Sequence, residues 1–316
     1  MRSDKYNDVK PNQIVSEEVA VEPKGVAEVD TSESLNRGKK AKKAKSKVKK
    51  KKKNRAVDWA FRVIIFCLVC VILISGYKVG TALYNYYHSR SGFKEVAKEA
   101  KVDPNQFTGV VDFAALRKQN PDVVGWIYQK DTIINYPIMR GNNNDIYLHT
   151  DIKKKYSVSG SIFMDYRNSA DFSDFNTIVY GHHMHDGSMF KSLRGYTKEN
   201  DYYDSHKTFE LITPDAKYHL QVFASYITPA TSDAYKNSFN SEAEKQAFIN
   251  YARTNSKISV EGVNISTKDR IVTLSTCAYD FDEARYVVVC KMIPWTKAEV
   301  RAGEKLQAKI DKQNGK

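Results

Sequence analysis

Only four cysteines occur in this chain of 316 residues: Cys67, Cys70, Cys277 and Cys290. The first two lie in an apolar run, which leaves Cys277 and Cys290 for the main domain. A disulfide between these two is compatible with their places on adjacent predicted strands. So small a number nevertheless does not indicate a scaffold stapled by disulfides. A single cysteine placed for chemistry fits the count better.

Acidic residues are absent between Arg37 and Arg55, a stretch that holds thirteen Lys and Arg residues. The whole chain has a formal net charge of +13, so subtracting the thirteen leaves a net charge of zero for the rest. A nucleic-acid-binding domain is expected to carry its own basic face. The charge distribution therefore predicts no nucleic-acid partner, and we interpret residues 1–57 as a disordered basic tail.

Charged side chains are also missing from Val63–Tyr77, which reads VIIFCLVCVILISGY. A helix needs about 20 residues to cross the hydrocarbon core of a bilayer. The flanking Arg62 and Lys78 lengthen the segment, because their apolar stems lie along the hydrocarbon while their charges reach the interface. We therefore expect a single transmembrane signal anchor over residues 58–84.

The basic tail predicts the orientation of this anchor. Segments rich in Lys stay on the cytoplasmic side, so residues 1–57 are expected in the cytoplasm and the rest of the chain after Lys78 outside the cell. A cleaved signal peptide is the alternative, because Gly80-Thr81-Ala82 resembles a small-residue cleavage site. The long segment before the apolar run favours an uncleaved anchor.

Short β-rich runs dominate the sequence after Pro121 and predict a mainly β domain over residues 121–316. Turn-forming residues such as Gly141–Asn144 separate several of these runs. Many short strands are typical of a closed or nearly closed barrel. The predicted strands are Trp126–Tyr128, Ile133–Ile138, Ser161–Met164, Thr177–Tyr180, Tyr218–Thr228, Ile271–Thr276 and Tyr286–Ile293.

Helical patterns precede and interrupt these strands. Residues 85–120 are expected to form a helical stalk and N-terminal helices, in which Asp112 caps a short helix over Phe113–Gln119. One further helix, Ser241–Asn255, is inserted before the strand that carries Cys277. Its first residue is followed by a glutamate three positions on, which predicts a capping box.

The stretch Ile271–Val289, IVTLSTCAYDFDEARYVVV, predicts a β-hairpin with candidate catalytic side chains at one end. Its first strand ends with Cys277, a short acidic loop follows, and the second strand opens with Arg285. The two side chains are therefore expected at the same end of neighbouring strands. The thiolate is the nucleophilic form of cysteine, and a nearby guanidinium favours it. A competing interpretation makes Arg285 the ion-pair partner of an acidic loop residue: Asp280, Asp282 or Glu283.

A proton-transfer partner for the cysteine is expected where another strand ends. In Thr177–His185, TIVYGHHMH, a strand ends at Gly181 and His182 follows it. Three histidines in four positions invite a metal interpretation, but no carboxylate or thiol ligand stands at a recognisable spacing and HExxH does not occur. We therefore expect no metal and no cofactor. Asp165 and Asp186 are candidates for orienting the histidine.

Three sequence features occur together: TLSTC (Thr273–Cys277), YGHHM (Tyr180–Met184) and an arginine eight residues after the cysteine. This combination resembles the sortase family. The chain is most similar to class B sortases in its N-terminal helices, in NNNDIYLHTD (Asn142–Asp151) and in the inserted helix. The resemblance covers roughly Phe107–Trp295 and implies a closed β-barrel of about eight strands.

Carried over position by position, the resemblance implies Cys277 as the nucleophile, His182 as the general acid and base, and Arg285 as the residue that stabilises the oxyanion. His183 and His185 do not match the family's histidine. Specificity is expected to lie in the loops around Asn142–Asp151 and Ser225–Asn240. The groove for the substrate peptide is implied to be lined by Asn144, Leu148 and Ser275.

The expected function is that of a membrane-anchored cysteine transpeptidase on the outer face of a Gram-positive cell membrane. The resemblance implies that it cleaves the C-terminal sorting signal of secreted surface proteins and holds the product as a thioacyl-enzyme. It then transfers that product to an amine of a peptidoglycan precursor. One alternative is a cysteine protease or wall hydrolase that uses water as the acceptor. The other is a non-enzymatic, membrane-tethered binding module in which Cys277 is merely structural.

Overall fold

The β-rich sequence after Pro121 folds into eight short strands that close into a barrel in a computed structural model. The strands are β1 Val123–Tyr128, β2 Asn135–Met139, β3 Ile162–Met164, β4 Asn176–Tyr180, β5 Thr208–Ile212, β6 Lys217–Pro229, β7 Ile271–Cys277 and β8 Ala284–Pro294. Their order around the barrel is β1-β2-β3-β4-β7-β8-β6-β5, and β1 closes the barrel by pairing with β5. The pairs β2–β3 and β4–β7 are parallel and the other pairs are antiparallel. The predicted closed barrel is confirmed.

The structure describes residues 54–198, 201–277 and 283–315. The tail predicted over residues 1–57 lies outside these residues as far as position 53. Most of the predicted acidic loop after Cys277, positions 278–282, also lies outside them. Residues from Ala60 onward form one compact unit.

Helices lie before, between and after the strands. Those among the described residues are α1 Arg55–Glu99, α2 Phe113–Gln119, α3 Gly195–Lys198, α4 Tyr202–Ser205, α5 Glu242–Asn255 and α6 Lys297–Gln313. The predicted cap of α2 is confirmed, because the Asp112 carboxylate accepts the Ala115 N–H at 2.9 Å. The cap of α5 is confirmed as well, because Ser241 Oγ accepts the Glu244 N–H at 3.2 Å.

Helix α1 runs without a break through the segment predicted as an anchor and into the first part of the predicted stalk. It is long and apolar enough to cross a membrane by length and composition. Its first part leaves large apolar side chains such as Phe66 and Ile72 exposed, whereas Phe93 and Val96 near its end are buried in the body of the domain. One helix therefore joins an exposed apolar segment to the barrel.

Alternation along β8 divides the core into an inner and an outer layer. Successive side chains of a strand point to opposite faces of the sheet. Val288 and Cys290 pack in the cluster that fills the barrel, while Val287 and Val289 pack in the cluster that includes Phe248 of α5. The inserted helix thus covers the outside of the barrel beside β8. Cys290 is completely buried in the inner layer.

Four of these strands and α-helices escaped the sequence patterns: strand β5, the short helices α3 and α4, and the C-terminal helix α6. Strand β5 has the sequence TFELI, and its Glu210 interrupts the apolar run. The Glu210 carboxylate accepts a hydrogen bond from the Trp295 indole N–H at 2.8 Å and contacts His219, and folding brings both of these residues to it. The C-terminal helix α6 has charged side chains at eight of its 17 positions, and a capping box between Thr296 and Glu299 begins it.

Candidate active site

The ends of β4 and β7 bring the predicted nucleophile and its partner together. These strands run parallel, with Tyr180 opposite Ser275, and the Gly181 N–H donates to the Ser275 carbonyl at 3.1 Å. His182 and Cys277 each follow the last paired position by two residues. Neighbouring strands lie about 4.8 Å apart. Continuing the register therefore places His182 beside Cys277, although 95 positions separate them in the sequence.

Strand pairing also brings Arg285 to the cysteine. Cys277 and Arg285 are direct partners in the antiparallel β7–β8 ladder. Residues directly opposite each other in such a pair project to the same face, with their Cβ atoms about 4.5–5.5 Å apart. The juxtaposition predicted for the hairpin is confirmed. Cys290 lies opposite Val272, farther along the same ladder, and all four cysteines are free.

All six residues predicted for the site line one cleft of about 600 Å³. They are Asn144, Leu148, His182, Ser275, Cys277 and Arg285. A larger cleft of about 900 Å³ lies between α1 and α6, and none of the six lines it. The candidate site is therefore identified by the side chains that line it and not by its volume. The roles of the six residues stay predictions.

The imidazole of His182 is oriented by a backbone carbonyl. Its Nε2 lies 2.7 Å from the carbonyl oxygen of Leu148, so this nitrogen must carry a proton and donate it. Asp165 and Asp186, the carboxylates considered for this task, are engaged elsewhere, with Tyr180 and Ser188 respectively. The sequence held no signal for a carbonyl partner, because every residue carries a carbonyl.

Burial lowers the pKa of His182, and it outweighs the opposing effect of the hydrogen bond to Leu148. The ring of His149 lowers this pKa further, since it stacks on His182 with ring centroids 5.7 Å apart. The neutral imidazole is therefore favoured at pH 7. An imidazolium with a lowered pKa is a stronger acid, so protonated His182 transfers its proton readily to a neighbouring base.

The guanidinium of Arg285 is held at the edge of the cleft. Its Nη1 donates to the Ala284 carbonyl at 3.0 Å, and its Nη2 donates to the Glu283 carboxylate at 2.9 Å. The competing ion-pair interpretation is thus correct for Glu283, while the other two acids lie outside the described residues. The Glu283 side chain is 75% exposed, and exposed ion pairs contribute little to stability. The pair leaves the guanidinium in contact with the cleft.

A buried carboxylate organises the opposite wall of the cleft. Asp165 is fully buried and accepts hydrogen bonds from Arg167 at 2.8 Å, from the Tyr180 hydroxyl at 2.9 Å and from the Asn144 amide at 3.2 Å. Burial alone would raise the pKa of Asp165, but the bonds from Arg167 and Tyr180 prevail and lower it. Asp165 is therefore ionised and fixes three residues that line the cleft.

Tyr235 is a cleft residue that the sequence patterns did not single out. It ends a 3₁₀ turn, Asp233–Tyr235, in the loop after β6. Its hydroxyl and Ser275 Oγ lie 2.8 Å apart, and burial raises the pKa of Tyr235 to about 12. The loop was expected to matter for specificity, but it is shorter than predicted because β6 continues to Pro229.

Comparisons with known proteins agree with this fold. The family model described as Sortase domain matches residues 129–293. The chain is 36% identical over 230 residues to sortase B of Staphylococcus aureus (strain NCTC 8325 / PS 47), covering 72% of this chain and 93% of the relative. It is 38% identical over 231 residues to sortase B of Listeria monocytogenes serovar 1/2a, covering 71% and 92%. A solved Staphylococcus aureus sortase B–substrate complex matches with a TM-score of 0.60 and 34% identity, covering 67% of this chain and 100% of that chain.

The fold and these relatives define a cysteine transpeptidase. The chain belongs to the sortase family and, within it, to class B.

Proposed function

We propose that this protein is a membrane-anchored transpeptidase that cleaves the C-terminal sorting signal of surface proteins and joins them to an amine of a peptidoglycan precursor. In this reaction Cys277 is the nucleophile, His182 the general acid and base, and Arg285 the donor to the oxyanion. The observation that carries the proposal is the meeting of these three side chains in one cleft at the ends of β4, β7 and β8.

The first half-reaction breaks the peptide bond of the sorting signal. The Cys277 thiolate attacks the carbonyl carbon, and the electron pair of the C=O bond moves to oxygen. Arg285 donates hydrogen bonds to that oxyanion, because its planar guanidinium carries several N–H groups. When the C–N bond breaks, the departing amine takes a proton from the His182 imidazolium. The products are a thioester on Cys277, a neutral imidazole and the released peptide.

The second half-reaction makes a new amide. The acceptor amine attacks the thioester carbon, His182 takes the proton that the amine loses, and the C–S bond breaks to return the Cys277 thiolate. The doubly protonated ring carries two N–H groups. One is held by the Leu148 carbonyl, which leaves the other for the reacting nitrogen. The lowered pKa of His182 suits this exchange, because the ring gives up its proton readily.

The cleft supplies a groove for the peptide. Its volume of about 600 Å³ lies within the usual range for ligand sites. Leu148 offers an apolar surface, and Asn144 and Ser275 offer polar groups that Asp165 and Tyr235 hold in place. The Staphylococcus aureus relative has been solved as a substrate complex, which supports a peptide in the corresponding groove of this chain.

The exposed apolar part of α1 supports a single membrane anchor. Its large side chains, such as Phe66, Ile72 and Leu73, are more than half exposed. Burying such surface in a bilayer is favourable. With the basic tail in the cytoplasm, the barrel lies on the outer face of the membrane. We propose the same division of the chain as the sequence predicts: a tail to residue 57, an anchor over 58–84, N-terminal helices over 85–120 and the barrel domain thereafter.

The test incubates the full-length protein in detergent with a sorting-signal peptide, with and without an amine acceptor. We expect mass spectrometry to find the acceptor joined to the new C-terminus, and Cys277→Ala to abolish both cleavage and transfer. Cys290→Ala is the matched control, because that thiol is buried in the barrel core. Cleavage that never incorporates the acceptor would support the hydrolase alternative. Processing that survives in Cys277→Ala would remove the cysteine mechanism.

A further inference from the structure

The imidazole of His183 contacts the backbone of the proposed nucleophile, Cys277. The reaction described above does not use this imidazole. Its side chain is buried, and its Nδ1 lies 2.6 Å from the carbonyl oxygen of Cys277. The ring of Tyr286 packs edge-on against it, with centroids 5.6 Å apart and planes at 70°. The contact joins two residues that stand 94 positions apart in the sequence.

The proton on this imidazole is defined by its partner. A carbonyl oxygen only accepts hydrogen bonds, so Nδ1 of His183 must be the donor. Burial lowers the pKa of His183, which makes the neutral ring dominant at pH 7. The neutral ring carries a single N–H, and the geometry assigns it to Nδ1. His183 is thus a fixed donor.

Within the part of the chain that the structure describes, the backbone ladder between β4 and β7 ends before it reaches the proposed reacting residues. Its last bond runs from Gly181 N–H to the Ser275 carbonyl, two residues before Cys277. The bond from His183 continues the connection with a side chain, at the last residue of β7. Among the described residues, this bond extends the β4–β7 contact to the backbone of the proposed nucleophile.

The consecutive residues His182 and His183 lie on opposite sides of the contact between the ends of β4 and β7. His182 lines the cleft, whereas His183 is buried. Consecutive side chains of an extended chain point in opposite directions. A single dipeptide therefore carries the proposed acid on one side and holds the backbone of the proposed nucleophile on the other.

We propose that His183 is a positioning residue. Its Nδ1–H···O=C bond fixes the end of β7 against the end of β4, and so sets the distance between the Cys277 thiol and the His182 ring. The inference rests on the proposed function, because it concerns how that reaction is aligned. It assigns no proton transfer to His183.

The test compares three variants of the full-length protein: H183N, H183Q and H183L. The asparagine amide nitrogen is as many bonds from Cα as Nδ1 of histidine, so H183N keeps the donor in place. The glutamine donor lies one bond farther out, and leucine has none. We expect H183L and H183Q to lower kcat by about 10²-fold, the loss that accompanies a displacement of ~1 Å at a reacting group. KM for the peptide should change little, and H183N should recover most of kcat.

Thermal unfolding of each variant shows which of them fold. The comparison of H183N with H183Q remains valid even if H183L does not fold. Nitrogen-15 NMR of the wild-type protein should find the proton of the neutral His183 ring on Nδ1. Three results would each overturn the inference. The first is an equal kcat in H183N and H183Q, and the second is a kcat of H183L within about twofold of wild type. The third is a proton on Nε2 of the neutral His183 ring. A wild-type protein that does not process the peptide would instead overturn the proposed function, because the inference is judged on ratios between variants.

Discussion

Gly160 couples a backbone conformation to the placement of the proposed acid. Its φ of +55° lies in the left-handed region. A Cβ at this position would stand 2.3 Å from the carbonyl oxygen of Leu148 and 2.7 Å from that of Tyr147. The Leu148 carbonyl is the group that accepts the His182 Nε2–H. A methyl group at position 160 therefore pushes directly on the partner of His182.

The substitution Gly160→Ala has two separable costs. An L-residue in the left-handed conformation is destabilised by about 1–2 kcal/mol. In addition, the Leu148 oxygen must retreat by about 1.1 Å, because ordinary van der Waals contact begins at 3.4 Å and the built contact is 2.3 Å. A displacement of ~1 Å near reacting groups costs on the order of 10²-fold in rate. For a domain of this size, each kcal/mol lowers the melting temperature by about 2–4 °C.

Gly262→Ala is the matched control for this substitution. Gly262 also has a positive φ, +75°, but no atom lies within 4 Å of its built Cβ. We expect G262A to lower the melting temperature with no change in kcat, and G160A to lower both. Thermal unfolding and steady-state cleavage of the sorting peptide measure the two effects. A G160A variant with the melting temperature of G262A and the kcat of wild type would refute this account of Gly160 and of the Leu148 contact.

Three further predictions concern charge and protons. Arg285→Lys keeps the charge but loses the planar fork, so kcat should fall by about 10²–10³-fold, as for the loss of one oxyanion donor. Asp165→Asn removes the charge that holds Arg167 and Asn144, so KM for the peptide should rise more than kcat falls, with a loss of about 1–3 kcal/mol in the free energy of unfolding. Burial lowers the pKa of His183 below its ordinary 6.5, so the folded state binds protons less readily than the unfolded chain. The free energy of unfolding should therefore fall as the pH drops below 6.5, and H183N should remove this part of the dependence in denaturant titrations.

Each of these predictions has a clear contrary outcome. Wild-type rates in Arg285→Lys would remove Arg285 from the oxyanion role. Glu283→Gln is its control, and it should leave kcat nearly unchanged because that ion pair is exposed. An unchanged KM in Asp165→Asn would mean that the Asp165 network does not shape the groove. Parallel pH profiles for wild type and H183N would contradict the assignment of that titration to His183.

Local patterns in the sequence were sufficient for seven of the eight strands, for helices α2 and α5, and for the three proposed reacting residues. Asp112 and Ser241 cap helices because their side chains reach N–H groups three residues away. Cys277 ends a strand because the apolar β-branched run before it ends there. Its pairing with Arg285 follows from a short hairpin, in which register is set by nearby residues.

Contacts between distant segments were decided only by the tertiary structure. The carbonyl that orients His182 comes from Leu148, 34 positions earlier, and the carboxylate that fixes Asn144 and Tyr180 comes from Asp165. His183, which does not match the family's histidine, is brought to the backbone of the proposed nucleophile by the parallel pairing of β4 with β7. Such contacts depend on barrel closure and strand register, which no local preference for helix or strand encodes.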